Sequence, residues 1–320
     1  MGPSDGLLRF GRQHLYLHSS ERMPELRSGS MDVIVTSPPY NRGKNYDPRY
    51  SDRLPEKEYR QLLLRVFREC HRVLAPDGVF FLNIGDGARD QGKSEKVCAW
   101  AQEAGFHRLQ TLVWLKTILG KGHFTPSGQG RRFSNVFEYI FLLSKTKHPR
   151  LDVRAVGIPY ADKSNIGRYS QVDLRDAGNV WFVPYRETTG ATVKKGHEAP
   201  YPVELPWRAI RCVPQARRVL DPFAGTGSSL AAAESLGIEG VGYEPYPQLR
   251  VIERRLATPF HPPPVVLLPE LERSVRFLAD RGLLVRPPGS AKLPAREREA
   301  WDTLGRVLEA LRGGLPPRVS

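Results

Sequence analysis

The sequence predicts a doubly wound α/β fold built on a mostly parallel sheet. Three observations carry that expectation: short apolar runs recur along the chain, an amphipathic stretch separates the first two, and two runs end in segments able to hold a ligand.

The runs are MDVIVT (31–36), GVFFLNIG (78–85), LQTLVWL (109–115), EYIFLLS (138–144), RRVLD (217–221) and IEGVGYE (238–244). Continuous runs of this length, rich in Val, Ile and Phe, suit strands buried on both faces of a parallel sheet. Between the first two, Tyr59, Leu62, Leu63, Val66, Phe67, Cys70, Val73 and Leu74 recur at helical spacing. Pro55 and Glu56 open that helix, and Pro76, Asp77 and Gly78 stop it. The result is a strand, helix, strand unit, whose crossover is right-handed. From about 145 to 196 the sequence turns polar and basic with Gly and Pro, and reads as inserted. After Pro259 the proline-rich FHPPPVVLLPE leads into charged helical sequence (269–282 and 292–313). The expected organisation is a main domain over 1–259, with 146–178 an insert, and a small helical C-terminal extension over 260–320.

The 320 residues suffice for one large domain and an appendage. Lys and Arg number 48 against 34 Asp and Glu, an excess of 48 − 34 = 14. Such an excess suits a polyanionic partner, or else a solvated arginine-rich surface. Cys70, Cys98 and Cys212 are isolated and lack metal-ligand spacing, so they read as reduced core thiols; neither a disulfide frame nor a metal site is expected. The N-terminus lacks a signal pattern and no apolar run approaches the roughly 18 residues of a membrane span, so a cytoplasmic chain without a membrane partner is expected.

In RRVLDPFAGTGSSLAAAESLGIEGVGYEPYP (217–247) a strand ends in Asp221, a turn carries Gly225 and Gly227, and small residues begin a helix. Glu244 ends the next strand 23 residues after Asp221. Glycines at such a turn let backbone approach a ligand, and an acidic side chain at the second strand tip is placed to accept from two ribose hydroxyls. A nucleoside-containing cofactor is implied. The third glycine of a dinucleotide fingerprint is missing, as is the lysine of a P-loop. S-adenosylmethionine (AdoMet) is the remaining reading, with its methionine portion near the turn.

TSPPY (36–40) ends the first buried strand. An exocyclic amine on a nucleobase is a poor nucleophile because its lone pair is delocalised into the ring. Accepting hydrogen bonds from its two protons favours the tetrahedral geometry that attacks a sulfonium methyl. Ser37 Oγ and the Pro38 carbonyl are candidate acceptors. Pro38 and Pro39 fix φ and stiffen the loop, and Tyr40 is placed to stack on an extruded base.

TSPPY together with DPFAGTGS resembles the DNA amino-methyltransferases, and the order of the two motifs resembles the beta group of that family. NVWFVPY (179–185), GHEAPYPVELPWRAI (196–210) and NVFEYIFLLSK (135–145) fit the same pattern, so the resemblance spans roughly residues 7 to 258. It implies the AdoMet-dependent methyltransferase type of fold, with Ser37, Pro38, Pro39 and Tyr40 as the catalytic loop. It further implies that Asp221, Phe223, Gly225, Thr226 and Gly227 surround the methionine part of AdoMet and that Glu244 holds the ribose. The segment from His197 through Pro200 to Pro202 would close over the cofactor. Where relatives often carry Gly-Asp before the first helix, this chain has YLHSS (16–20), so the acidic contact expected there is missing.

A leading serine in this family tends to go with cytosine N4, and aspartate with adenine N6; cytosine N4 is the expected target and adenine N6 the alternative. Methylation at cytosine C5 needs a cysteine nucleophile, in relatives set after a proline, and no cysteine here follows one. An asparagine-led NPPY enzyme acting on a protein amide has its cofactor turn first in the chain, the reverse of this order. Double-stranded DNA is the expected partner, with contacts from Lys116, Lys121, Arg131 and Arg132 around a glycine-rich loop and from Arg154 and Arg168 in the insert. A cognate restriction endonuclease and a homodimer are compatible with the sequence.

Overall fold

The computed structural model describes residues 6–43, 52–87, 90–116, 133, 135–160, 162–168, 170–183, 201–262 and 302. Its strands are β1 (Leu7–Phe10), β2 (Gln13–Tyr16), β3 (Met31–Thr36), β4 (Leu74–Ile84), β5 (His107–Leu115), β6 (Phe137–Ser144), β7 (Val180–Phe182), β8 (Arg218–Asp221) and β9 (Glu239–Tyr243). The helices are α1 (Glu56–Val73), α2 (Lys93–Glu103), α3 (Glu204–Arg211), α4 (Ser228–Ser235) and α5 (Leu249–Ala257). The strands form one sheet in the order β1-β2-β9-β8-β3-β4-β6-β5-β7. Pairing is parallel except at β1–β2, β4–β6 and β5–β6. The doubly wound, mostly parallel sheet of the AdoMet-dependent methyltransferase type is therefore present.

All six apolar runs are strands; β3 and β4 are buried along most of their length, whereas β5 keeps His107, Arg108 and Gln110 exposed. Along β3, Ile34 points into a cluster with Leu63, Phe67 and Phe80 on the α1 and α2 side. Leu15, Ala224, Leu230 and Ile252 form a second cluster between β2, α4 and α5. Phe67, Phe80 and Phe106 make a ring ladder with centroids 6.0 and 5.2 Å apart. Truncating a fully buried phenylalanine such as Phe80 costs about 3–5 kcal/mol.

The helix predicted before GVFFLNIG ends at Val73, earlier than its expected proline stop, and β4 begins at once. Leu74 is already extended (φ −66°, ψ 139°) and pairs with Met31. The register then shifts before Val33 pairs with Val79, so Pro76 falls in a bulge where its missing N–H breaks no ladder. β1 and β2 had no sequence signal because four-residue strands are shorter than a period-2 pattern needs.

The chain divides into two compact units: residues 1–155 with 178–260, and residues 156–177 with 261–320. The first holds the sheet and the five helices named above. In the second, Ile158 bridges Arg175, Asp162 caps a 3-10 turn by accepting from Ser164 N at 2.9 Å, and Lys163 pairs with Asp173 at 2.5 Å. The expected helices at 269–282 and 292–313 lie outside the described residues.

Candidate active site

Two parallel strands set side by side bring both signature segments to one edge. β3 pairs with β8 through Val33–Val219 and Ile34–Leu220, so the TSPPY loop and the glycine turn both leave the carboxyl ends of adjacent strands. That edge is where open α/β sheets bind ligands. β9, next to β8, brings Glu244 there as well.

Asp221 closes the turn. It is 1% exposed, and its Oδ1 accepts from Thr36 Oγ1 (2.6 Å) and Phe223 N (3.0 Å). Oδ2 accepts from Ser229 Oγ (2.6 Å) and Tyr201 OH (3.2 Å), and Tyr201 also meets Ser229. Burial pushes the Asp221 carboxyl up, opposed by these four hydrogen bonds. Asp221 thus spends its oxygens on holding four chain segments together. The described part of the segment expected to close over the cofactor is anchored by Tyr201, whose carbonyl accepts from Ser228 Oγ at 2.7 Å, with half-buried Pro202 following. His197 and Pro200 lie outside the described residues.

Gly225 and Gly227 adopt φ +50° and +78°, which side chains disfavour. Gly227 starts α4 with its α-carbon against Ile252, where a Cβ would sit 3.3 Å from two carbons. Among the described residues a Cβ on Gly225 would meet only the Phe223 carbonyl, at 3.9 Å, which leaves that side of the turn as a shallow cradle. Phe223 and Thr226 are half-buried along it. Glu244 Oε2 accepts from Gly225 N (2.9 Å) and Oε1 from Tyr246 N (3.1 Å), which fixes a carboxylate beside the cradle. A glycine turn with an adjacent carboxylate acceptor fits the hydrogen-bond donors of a nucleoside bearing an amino acid.

The TSPPY loop is rigid for reasons beyond its prolines. Tyr59 OH donates to the Pro39 carbonyl (2.7 Å) and Lys93 Nζ to the Tyr40 carbonyl (3.1 Å). Asn41 takes a left-handed φ of 54°, held by Asp52, which accepts from the Asn41 and Arg42 amides at 2.9 Å each. One face of the Tyr40 ring lies under the Arg42 guanidinium, 4.9 Å from its centroid.

Beneath the loop lies a polar cluster that the sequence reading did not foresee. Tyr40 OH donates to Glu138 Oε2 at 2.9 Å, and Ser37 Oγ donates to Tyr40 OH at 3.2 Å. Asn83 Nδ2 reaches Glu138 Oε2 (2.8 Å), Tyr40 OH (3.2 Å) and Ser37 Oγ (3.3 Å). Lys116 Nζ sits 2.5 Å from Glu138 Oε1. Topology explains the meeting: β6 runs against its neighbours, so its first residues deliver Glu138 to the edge where β4 ends, beside Asn83. Burial alone would push the Glu138 carboxyl up; the Lys116 ammonium and the bonds from Asn83 and Tyr40 outweigh it and hold the group below its ordinary value. Burial, and then the Glu138 charge, push the Tyr40 phenol well up, so it stays protonated. The only available signal was a lone acidic residue in the apolar run EYIFLLS.

Lys116 corrects one expectation. It is 8% exposed and committed to Glu138, so it is not placed to meet a phosphate. Arg154 is exposed and pairs with Asp152 at 3.3 Å, and Arg168 is exposed in the second unit. Lys121, Arg131 and Arg132 lie outside the described residues. Cys70, Cys98 and Cys212 are all buried. Among the described residues no three metal-binding side chains gather, and no helix is long and apolar enough to cross a membrane.

This sheet order with a glycine turn and an acidic strand tip at one carboxyl edge defines the class of AdoMet-dependent methyltransferases. The match to a family model is more specific: residues 31–252 fit the DNA methylase model of the N6/N4 type, and the chain belongs to that family of DNA amino-methyltransferases. The type II methyltransferase M.MthZI of Methanothermobacter thermautotrophicus is 28% identical over 266 residues, covering 72% of each chain. A solved structure from Thermus thermophilus, a presumptive DNA modification methylase by its description, is 26% identical with a TM-score of 0.51, covering 76% of this chain and 94% of its own. The structure of the PvuII DNA methyltransferase, described as cytosine-N4-specific, shares the fold at 18% identity with a TM-score of 0.57 over 93% of both chains. The cofactor of the family is AdoMet and its substrate is DNA.

Proposed function

We propose that the protein methylates the exocyclic N4 amine of a cytosine taken out of the DNA duplex. The observation that supports this most is Ser37, a hydroxyl at the head of a rigid loop beside the glycine turn, with its proton occupied by Tyr40. Bound AdoMet supplies an electrophilic sulfonium methyl. The Gly225 cradle would take its methionine portion and Glu244 its ribose. Asp221 orders the turn through Thr36, Phe223, Tyr201 and Ser229 and is assigned no direct contact.

Ser37 Oγ and the Pro38 carbonyl would accept the two amine protons, which localises the nitrogen lone pair for in-line attack. A base would stack on the Tyr40 ring. DNA affinity would come from the basic loop carrying Lys121, Arg131 and Arg132 and from the insert carrying Arg154 and Arg168, with 146–178 the segment that reads sequence. A serine, unlike an aspartate, brings no negative charge to the amine; the adenine N6 reading remains the alternative because either oxygen accepts. The test is transfer of radiolabelled methyl from AdoMet to duplex DNA, followed by digestion to nucleosides and chromatography. Label in N4-methyl-2′-deoxycytidine supports the reading, and label in N6-methyl-2′-deoxyadenosine replaces it with the alternative.

A further inference from the structure

Glu138 lies a hydrogen-bond chain away from Ser37, and the chain has a direction. A carboxylate has no proton to give, so Tyr40 must donate to Glu138 Oε2 across 2.9 Å. The Tyr40 oxygen is then left as an acceptor, and it receives the Ser37 hydroxyl proton across 3.2 Å. Asn83 Nδ2, a donor only, reinforces the order by facing all three oxygens. The hydroxyl of Ser37 therefore has its proton turned away and a lone pair left for the amine.

We propose that Glu138 is a positioning residue for methyl transfer, fixing through Tyr40 and Asn83 the direction of the Ser37 hydroxyl so that Ser37 meets the target amine as an acceptor. The inference rests on the methyltransferase reading and adds to it a residue that touches neither substrate nor cofactor. Lys116, 2.5 Å from the other carboxylate oxygen, keeps Glu138 ionised and its two oxygens in place. Glutamine at this position has nearly the same shape but carries an N–H₂ group. With that group toward Tyr40 the chain can reverse: the amide donates to Tyr40, Tyr40 to Ser37, and the Ser37 proton then faces the amine it should accept from.

The experiment is single-turnover methyl transfer by wild type, Glu138→Gln, Glu138→Asp, Tyr40→Phe and the Glu138→Gln/Tyr40→Phe double variant, with AdoMet and DNA dissociation constants measured for each. Glu138→Gln is expected to slow transfer at least about tenfold, the scale of one misdirected hydrogen bond to a charged group. Both dissociation constants should stay within about twofold, and Glu138→Asp should recover part of the rate because the anion remains. Tyr40→Phe leaves the Lys116–Glu138 pair intact, so it tests the chain even where Glu138→Gln fails to fold. The double variant should be no slower than the slower single one, because both cuts open one chain. Full activity in Tyr40→Phe or in folded Glu138→Gln, losses that multiply, or a loss explained by weaker AdoMet binding would overturn the proposal. A wild type that moves no methyl to DNA removes the function itself, whereas an active wild type with indifferent variants removes the role of Glu138 alone.

Discussion

Thr36 and Asp221 stand 185 residues apart in the chain and are joined by a hydrogen bond of 2.6 Å, Thr36 Oγ1 donating to Asp221 Oδ1. The bond ties the residue before the SPPY segment to the residue before the glycine turn. The two halves of the site are thereby held in one register, as transfer between a bound cofactor and a bound base requires.

Removing that tie should be costly. Asp221→Ala strands the Thr36, Tyr201, Ser229 and Phe223 donors in a buried setting, and a loss of about 3 kcal/mol or more is expected from urea unfolding. A loss under about 0.5 kcal/mol, the scale of a surface change, would contradict the role given to Asp221.

If Glu244 holds the ribose as proposed, Glu244→Ala should weaken AdoMet binding at least about tenfold in a calorimetric titration, since two ribose hydroxyls would lose an acceptor. It also frees the Gly225 and Tyr246 amides that hold the turn. An unchanged dissociation constant would remove Glu244 from the cofactor site.

Tyr40→Ala should abolish most turnover while AdoMet affinity stays near wild type, because the ring is assigned to the base. A large loss of AdoMet affinity would instead move Tyr40 into the cofactor site.

The apolar runs made the sheet legible because its central strands β3 and β4 are buried along most of their length, which demands continuous hydrophobic sequence. The glycine turn and Glu244 were legible because positive φ and close approach restrict the residue types allowed. Glu138, Asn83 and Tyr201 were not, for a common reason. Each acts through partners between 20 and 98 residues away, Tyr201 at Asp221 and Glu138 at Tyr40, and only the reversed direction of β6 makes the second meeting. Lys116 misled because a lysine beside a basic loop looks like a phosphate ligand until its buried counter-charge is seen.

The Lys116–Glu138 pair predicts a pH dependence. A carboxyl held below its unfolded value, near 4.5, stabilises the native state above that value, and the contribution is lost as pH falls through the folded value. The stability difference between wild type and Glu138→Gln should be constant around neutral pH and shrink in acid, below about pH 4.5. A difference that grows in acid would show that folding raises this carboxyl.

Burial pushes the Cys98 thiol up to about 11 and Cys70 well above its ordinary value, and Cys212 is 3% exposed. Native protein at about pH 8 should leave a thiol reagent such as DTNB nearly unreacted until it is unfolded. Rapid labelling of a native cysteine would contradict the packing described for it.

The most direct test of the central claim is single-molecule sequencing of amplified, unmodified DNA after incubation with the purified protein and AdoMet. The account predicts N4-methylcytosine within a fixed sequence motif. N6-methyladenine in its place, or DNA left unmodified, would contradict it.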